Sequence, residues 1–522
     1  MKNHPRVRRP VKTSEQSAVI VYLVLMMFGL PLIVTDGYFN ITETKSVYFY
    51  IVSIALIVAT AFFSSKKAEA QKTKNLPETP LFERMELSLI DKAMVLFGAF
   101  VFLAALFSSN ADVWLGVASR YQGFLTILVY IIVYFIVSRN FTAAQSFLLF
   151  SILAFSAVSI IGVLNCFDVD ILDIYSGMHS KYKVAFLSTI GNINFYSSYM
   201  CLLMPLVVSG FCLSEGKISR TVYTSALVIG SLGMMVTSSE SFVVGFASSM
   251  AIMPFFFYSR PHRFKRYLVS AIIIVLSAQA YMLFYRLHGE GNIEISKLLS
   301  IIMNPFVSGT VVLLCLVFYL VAVKAPGAIR IVKKVYPVLL VMLVFAIGLC
   351  FVLANTVGLG KFNEFFRITS EWGTFRGKIW RYCIKSFLDF NIKDMLFGVG
   401  PETLSSVTAS AKLFEGKNLD QAHNEYLQYL MTTGILGLSA YLGVIGTTIY
   451  TVIKKLKEST FAVALLAALV SYWMQATVNI AQPFTTPIMY IYIACIAGMA
   501  RNAQMQSQGQ RASRGDAVVS SK

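Results

Sequence analysis

Charge is scarce in this sequence. Of 522 residues only 13% are Asp, Glu, Lys or Arg, against 57% hydrophobic, where an ordinary globular domain carries about 25% charge. The mean hydropathy of +0.68 points the same way, and together they exclude a soluble protein of this length. Histidine is rarer still, with 5 residues, and the acids are outnumbered, 26 against 44 Lys and Arg. No Gly-x-x-x-x-Gly-Lys-Ser/Thr segment is present, which removes P-loop nucleotide chemistry. No Cys-x-x-Cys pair or Cys/His spacing suits a structural metal. Of the 7 cysteines, Cys166 and Cys383 alone fall in segments expected outside the membrane, so the outer face has material for one disulfide at most. Internal repeats and paired interrupted helices, which mark many transporters, are also missing.

What the chain has instead is apolar runs, repeatedly long enough to cross a hydrocarbon core of roughly 30 Å. They predict an all-α, polytopic membrane helix bundle of about fourteen spans, within a range of about twelve to fourteen. The expected organisation is a cytoplasmic tail at 1–17, membrane helices 1–11 at 18–354, one large extracytoplasmic loop at 355–425, helices 12–14 at 426–500 and a flexible cytoplasmic tail at 501–522. The linker from Ser64 to Asp91, with Pro77 and Pro80, also reads as flexible. Basic residues cluster in alternate short loops, as at Arg260, Arg263, Lys265 and Arg266 and again at Lys454, Lys455 and Lys457. That asymmetry predicts both termini inside, with the first span an uncleaved signal anchor. The net charge of +18 is therefore a topology signal and a contact to anionic headgroups rather than a nucleic-acid footprint.

The loop before Tyr426 is the one substantial hydrophilic insertion, and function is expected there. Within it Ile379, Trp380, Cys383, Ile384, Phe387 and Leu388 recur at helical spacing opposite Lys378, Arg381 and Lys385, which predicts an amphipathic helix over 376–390. It reads as a lid over the bundle, or as a helix that also presents Arg376 to phosphates. Gly398-Val399-Gly400-Pro401-Glu402 marks a tight turn. His423 and Asn424 stand at the entrance of the next apolar helix, where Gly434 and Gly437 read as a close-packing face. Either Asp420 or Glu425 could orient the imidazole.

Four segments in order resemble the O-antigen ligase family, which also contains O-antigen polymerases and protein O-oligosaccharyltransferases. They are Arg120-Tyr121-x-Gly123, Gly191-Asn192-x-Asn194-Phe195, Arg376 and Trp380 with Gly398-x-Gly400-Pro401-Glu402, and His423-Asn424 followed after nine residues by Gly434-x-x-Gly437. The resemblance covers most of the chain from Trp114 to Ile445. One segment departs from it: where family members commonly carry Thr-x-Ser-Arg-Gly, this chain has Thr237-Ser238-Ser239-Glu240-Ser241. The arginine's role does not pass to an acid.

The resemblance implies transfer of a glycan from an undecaprenyl-diphosphate carrier to an acceptor hydroxyl at the outer face of the cytoplasmic membrane, with no cofactor. His423, Arg376 and Arg120 are the expected catalytic residues; Asn424, Glu240, Asn192, Asn194, Trp380 and Glu402 are the expected substrate-binding ones. The expected partners are the lipid-linked glycan, a glycan, lipid or protein acceptor bearing a hydroxyl, and membrane lipids, with no nucleic acid. An imidazole can act as a neutral base near physiological pH, and guanidinium forks grip phosphate oxygens in pairs. A polymerase extending lipid-linked repeats, and a non-enzymatic flippase or transporter, are the alternatives. Charges gathered at outer helix ends rather than at the bilayer midplane favour the enzyme. Asp168-x-Asp170 could hold a divalent cation, which the resembled family does not need.

Overall fold

The structure, a computed structural model, describes residues 12–73, 86–117, 120–142, 145–258, 260–288, 295–325, 327, 329–408 and 419–519. Most of the first tail (1–11) and the middle of the linker (74–85, with Pro77 and Pro80) lie outside those residues. The chain is almost entirely helical, and among the described residues eleven helices are long and apolar enough to cross a membrane. This makes it a multi-pass, all-α membrane protein.

The helices that position the site are α1 (Ser14–Leu32), α2 (Ile41–Thr73), α3 (Leu89–Phe107), α4 (Phe124–Asn140), α5 (Gln145–Cys166), α6 (Ile193–Leu213), α7 (Lys217–Met235) and α8 (Glu240–Phe257). They continue with α9 (Pro261–His288), α10 (Pro305–Lys324), α11 (Ile329–Thr356), α12 (Trp372–Leu388), α13 (Glu425–Leu456), α14 (Thr460–Val478) and α15 (Thr486–Val519). Helices α6 and α14 are enclosed by the others, whereas α11 is mostly exposed, as an apolar helix facing lipid tails would be. The helix α15 continues through the stretch expected to be a flexible tail, which is rich in Gln, Ala and Arg, all good helix formers. Likewise α2 runs past Ser64 to Thr73.

Two buried charges brace opposite ends of the bundle. Lys45 of α2 is fully buried, and its Nζ donates to the carbonyls of Leu30, Pro31 and Ile33 at 2.8, 3.0 and 3.1 Å. The cation thus closes the C-terminal end of α1, where no further turn exists to take those carbonyls. Beside it a short antiparallel hairpin, β1 (Phe186–Leu187) with β2 (Gly191–Asn192), plugs the bundle end. Thr189 in its turn donates to Pro31 O, and Tyr38 donates to Ser188 O.

At the other end Asp91, in the first turn of α3, accepts from Tyr134 and Arg139 of α4 at 2.7 and 3.1 Å and from Arg501 of α15 at 3.1 Å. Its side chain is 1% exposed, while the two arginines are 22% and 21% exposed. Asp91→Ala leaves two guanidinium groups facing each other without their acid. We expect a loss of about 3 kcal/mol, read as a lower melting temperature of the detergent-solubilised protein, and Asp91→Asn should recover part of it.

Candidate functional site

The described residues between α11 and α13 gather around a small apolar core of their own. Ile379, Cys383 and Phe387 of α12 pack on Leu404, Leu419, Ala422, Leu427 and Met431. The expected amphipathic helix is therefore present, but its apolar stripe is narrower than its sequence suggests: Ile384 and Leu388 are exposed. Cys383 is buried in this core and Cys166 in the bundle, and they are not joined in a disulfide.

This segment is fastened to α13 by a break in that helix. Gly434 has φ +66°, and a Cβ there would lie 2.3 Å from Leu396 O. The interruption exposes the carbonyls of Met431 and Thr432, which accept from the amides of Val399 and Gly400 at 3.1 and 2.9 Å. Gly398 (φ +75°) faces the same helix turn, where a Cβ would lie 2.3 Å from Thr432 C. The two glycine motifs thus form one joint, and Gly434 is a helix break rather than the packing face its spacing suggests.

On that joint the sequence-predicted residues converge. Arg120 Nε donates to Asp420 Oδ2 at 2.8 Å, with the two side chains 23% and 31% exposed; a pair so placed is worth of order 1 kcal/mol. His423 is partly buried and lies in the fields of Arg376 and Arg120. Burial first, then these two guanidinium groups, draw the imidazole down to about 4, with Asp420 pulling the other way. Arg376 is the first residue after a left-handed stretch (Gly373, Thr374, Phe375) that interrupts α12. Its Nη1 donates to Gly373 O at 2.7 Å, and its buried Nε has no hydrogen-bond partner among the described residues. Burial lowers the guanidinium from its ordinary value, and Glu240 offsets that shift. Glu240, exposed at the first turn of α8, is thus the electrostatic neighbour of Arg376.

Three of the other expected residues, Asn424, Asn192 and Trp380, hold backbone. Asn424 caps α13, accepting from Leu427 N at 3.0 Å, and Asn192 caps α6, accepting from Asn194 N at 2.9 Å. Trp380 Nε1 donates to Ala422 O at 3.1 Å, which fixes the residue before His423. Asn194 Oδ1 accepts from Ser239 Oγ, beside Glu240, at 3.2 Å. Glu402 is buried, with Oε1 accepting from Gln421 Nε2 at 2.9 Å. Burial pushes its carboxyl up to about 7; Gln421, Arg120 and the Val117 amide act against the rise, and Asp420 adds to it. Asp170 Oδ2 accepts from Tyr175 N at 2.7 Å, so the Asp168-x-Asp170 pair shapes a turn. Among the described residues no group of three or more His, Cys, Asp or Glu could hold a metal ion.

Helix register leaves Asp420 and Glu425 open as partners of the imidazole, and the structure gives each carboxylate another partner. Glu425 does not face the imidazole; it accepts from Tyr441 and Tyr472 inside the bundle. Asp420 joins Arg120 instead. Sequence reading also passed over Gln475 and Asn479, polar residues at an otherwise apolar helix end. Gln475 bonds Ser198 and Ser241, and Asn479 bonds Ser198 and the Asn194 carbonyl, beneath the Glu240 turn. An uncharged polar pair at the end of an apolar run was the available signal.

The joint yields a direct test. Gly434→Ala forces a side chain into a left-handed position and against Leu396 O, at a combined cost of about 3 kcal/mol. We expect the variant to insert normally but to be cut by protease within 396–424 far faster than wild type; equal cleavage rates would contradict the joint.

Comparison with known proteins accords with this geometry. No curated protein matches the chain. A family model described as O-antigen ligase matches residues 298–442, the stretch that carries Arg376, Glu402, Asp420 and His423 along with the Gly434 joint. Over that stretch the chain is similar to the O-antigen ligase family.

Proposed function

We propose that this protein moves a glycan from an undecaprenyl-diphosphate carrier to an acceptor hydroxyl at the outer face of the cytoplasmic membrane, with both termini on the cytoplasmic side. At a coarser level, the similarity to the O-antigen ligase family supports a glycosyltransferase of ligase or polymerase type. The finer reading is carried by one observation: a single imidazole, kept neutral, sits in the field of two guanidinium groups brought from distant segments.

In this reading His423 takes the proton of the acceptor hydroxyl as its oxygen attacks the anomeric carbon. The bond from that carbon to the diphosphate oxygen breaks, and its electron pair leaves on the diphosphate. Arg120 and Arg376 receive the charge that develops there. The orphaned Nε of Arg376 is a donor that a phosphate oxygen would satisfy. An anion set against both arginines also weakens their hold on the imidazole, so donor binding raises the basicity of His423 when a base is needed. Asn424, Trp380 and Asn192 hold the backbone on which these groups stand. Exposed Glu240 is the group best placed to meet a sugar hydroxyl.

Purified protein supplied with undecaprenyl-diphosphate oligosaccharide and candidate acceptors tests this. His423→Ala and Arg376→Ala should each slow carrier release by about 100-fold or more, and unchanged release in both would sink the assignment. Glycan extension on the carrier itself, with no other acceptor present, would mark a polymerase; carrier movement without diphosphate release would mark a transporter.

The acidic limb offers a second test. A base lowered to about 4 is neutral above that pH and is lost as pH falls through it. The His423 limb of kcat/KM, which reports the unloaded protein, should therefore lie near pH 4. A limb close to the ordinary histidine value of roughly 6.5 would contradict the burial and charge environment described.

A further inference from the structure

Behind the Arg120–Asp420 pair lies a cavity of about 30 Å³, lined in part by Glu402, Gln421, Glu425, Gln428 and Tyr429. Two of these side chains carry a buried atom with no hydrogen-bond partner, Glu402 Oε2 and Gln428 Nε2. Their orientations are fixed from behind. Gln428 Oε1 accepts from the Ala422 amide at 2.8 Å, which leaves its Nε2 as the unused donor. Glu402 Oε1 accepts from Gln421, which leaves Oε2 as the unused acceptor. One donor and one acceptor on a space of about one water's volume suit a water molecule; an amide N–H on the wall is hostile to a cation.

Glu402 also packs beside both segments that carry the ion pair. A Cβ on Gly116, in the turn leading to Arg120, would lie 3.2 Å from Glu402 Cγ. Gln421, which holds the carboxyl, directly follows Asp420 in the chain. Among the described residues, the charged and titratable groups facing Glu402 are Arg120 and Asp420 and, on the cavity wall, Glu425 and Tyr429. Arg120 is the one cation among them.

We propose that Glu402 is the proton-exchanging positioning residue of the anion site, and that it takes up a proton through the cavity water when a diphosphate settles on Arg120. This rests on the reading of Arg120 as a diphosphate ligand. While Arg120 is unoccupied its charge supports the ionised carboxylate. Once a diphosphate neutralises that charge, Asp420 and the burial of the carboxyl favour the protonated acid. The free protein already holds this group near 7, so the exchange falls at neutral pH. A neutral Glu402 removes one anion from beside the incoming one.

The test is calorimetric titration of the full-length, detergent-solubilised protein with inorganic pyrophosphate, in two buffers of different ionisation heat. Near pH 7 the wild type should take up about half a proton more per pyrophosphate than Glu402→Gln, because a group titrating there passes from half to fully protonated. Protonation changes of pyrophosphate and of His423 are common to both proteins and cancel. Equal uptake in the two overturns the proposal. Asp420→Asn provides the second check: with one acid removed Glu402 ionises more readily, so the pH of maximal uptake should fall, and an unmoved maximum overturns the proposal as well. Carrier release from lipid-linked oligosaccharide, measured on the same preparations, reports separately on glycosyl transfer, since the uptake can exist in a protein that transfers nothing.

Discussion

The interruption of α13 at Gly434 is the constraint on which the segment between α11 and α13 depends. A membrane helix ordinarily keeps its carbonyls for itself, because nothing else in that environment will bond them. Here two of them, at Met431 and Thr432, are given to Val399 and Gly400. The exchange is possible because Gly434 takes a left-handed backbone and offers no side chain to collide with Leu396. Through that joint the segment carrying Arg376 and Glu402 is seated on the helix that begins just after His423. The apolar contacts of α12 then complete a small core that α13 alone would leave bare.

A second regularity runs through the same region. Non-glycine residues with positive φ recur at or near the site residues: Tyr121 next to Arg120, Ser238 near Glu240, Thr374 and Phe375 before Arg376, and Glu402 and His423 themselves. Each such residue costs of order 1 kcal/mol or more and persists only where its surroundings enforce it. The enforcement comes from the bundle. Lys45 seals the end of α1 beside the hairpin that leads to Asn192, and Asp91 locks three helices at the opposite end. Rigidity supplied there is what holds unfavourable backbone at the site.

The sequence and the folded chain agree most where the signal is local. Apolar run length identifies the bundle, and the 3.6-residue period finds α12, although Ile384 and Leu388 show that period alone overestimates the buried face. Helix propensity in the Gln- and Arg-rich tail was overridden in the sequence reading by low hydrophobicity, and α15 continues through it. Non-local features were less legible. Gly434-x-x-Gly437 carries the pattern of a packing face, and nothing near it in the chain says that another segment will claim its carbonyls. Glu425 and Asp420 were indistinguishable as partners for His423 because the direction of a side chain at a helix entrance depends on elements far away. Tyr441 and Tyr472 claim the first, Arg120 the second.

The Arg120–Asp420 contact joins residues separated by 300 positions. At the usual rate of protein synthesis, about 5–20 residues per second, Asp420 emerges roughly 15–60 s after Arg120. Throughout that interval the arginine stands at the membrane surface without the acid that will orient it and without the imidazole that accompanies that acid. A chain stalled before residue 420 therefore meets its surroundings with these groups unassembled. Emergence of the Asp420–His423 stretch is itself the event that brings them together.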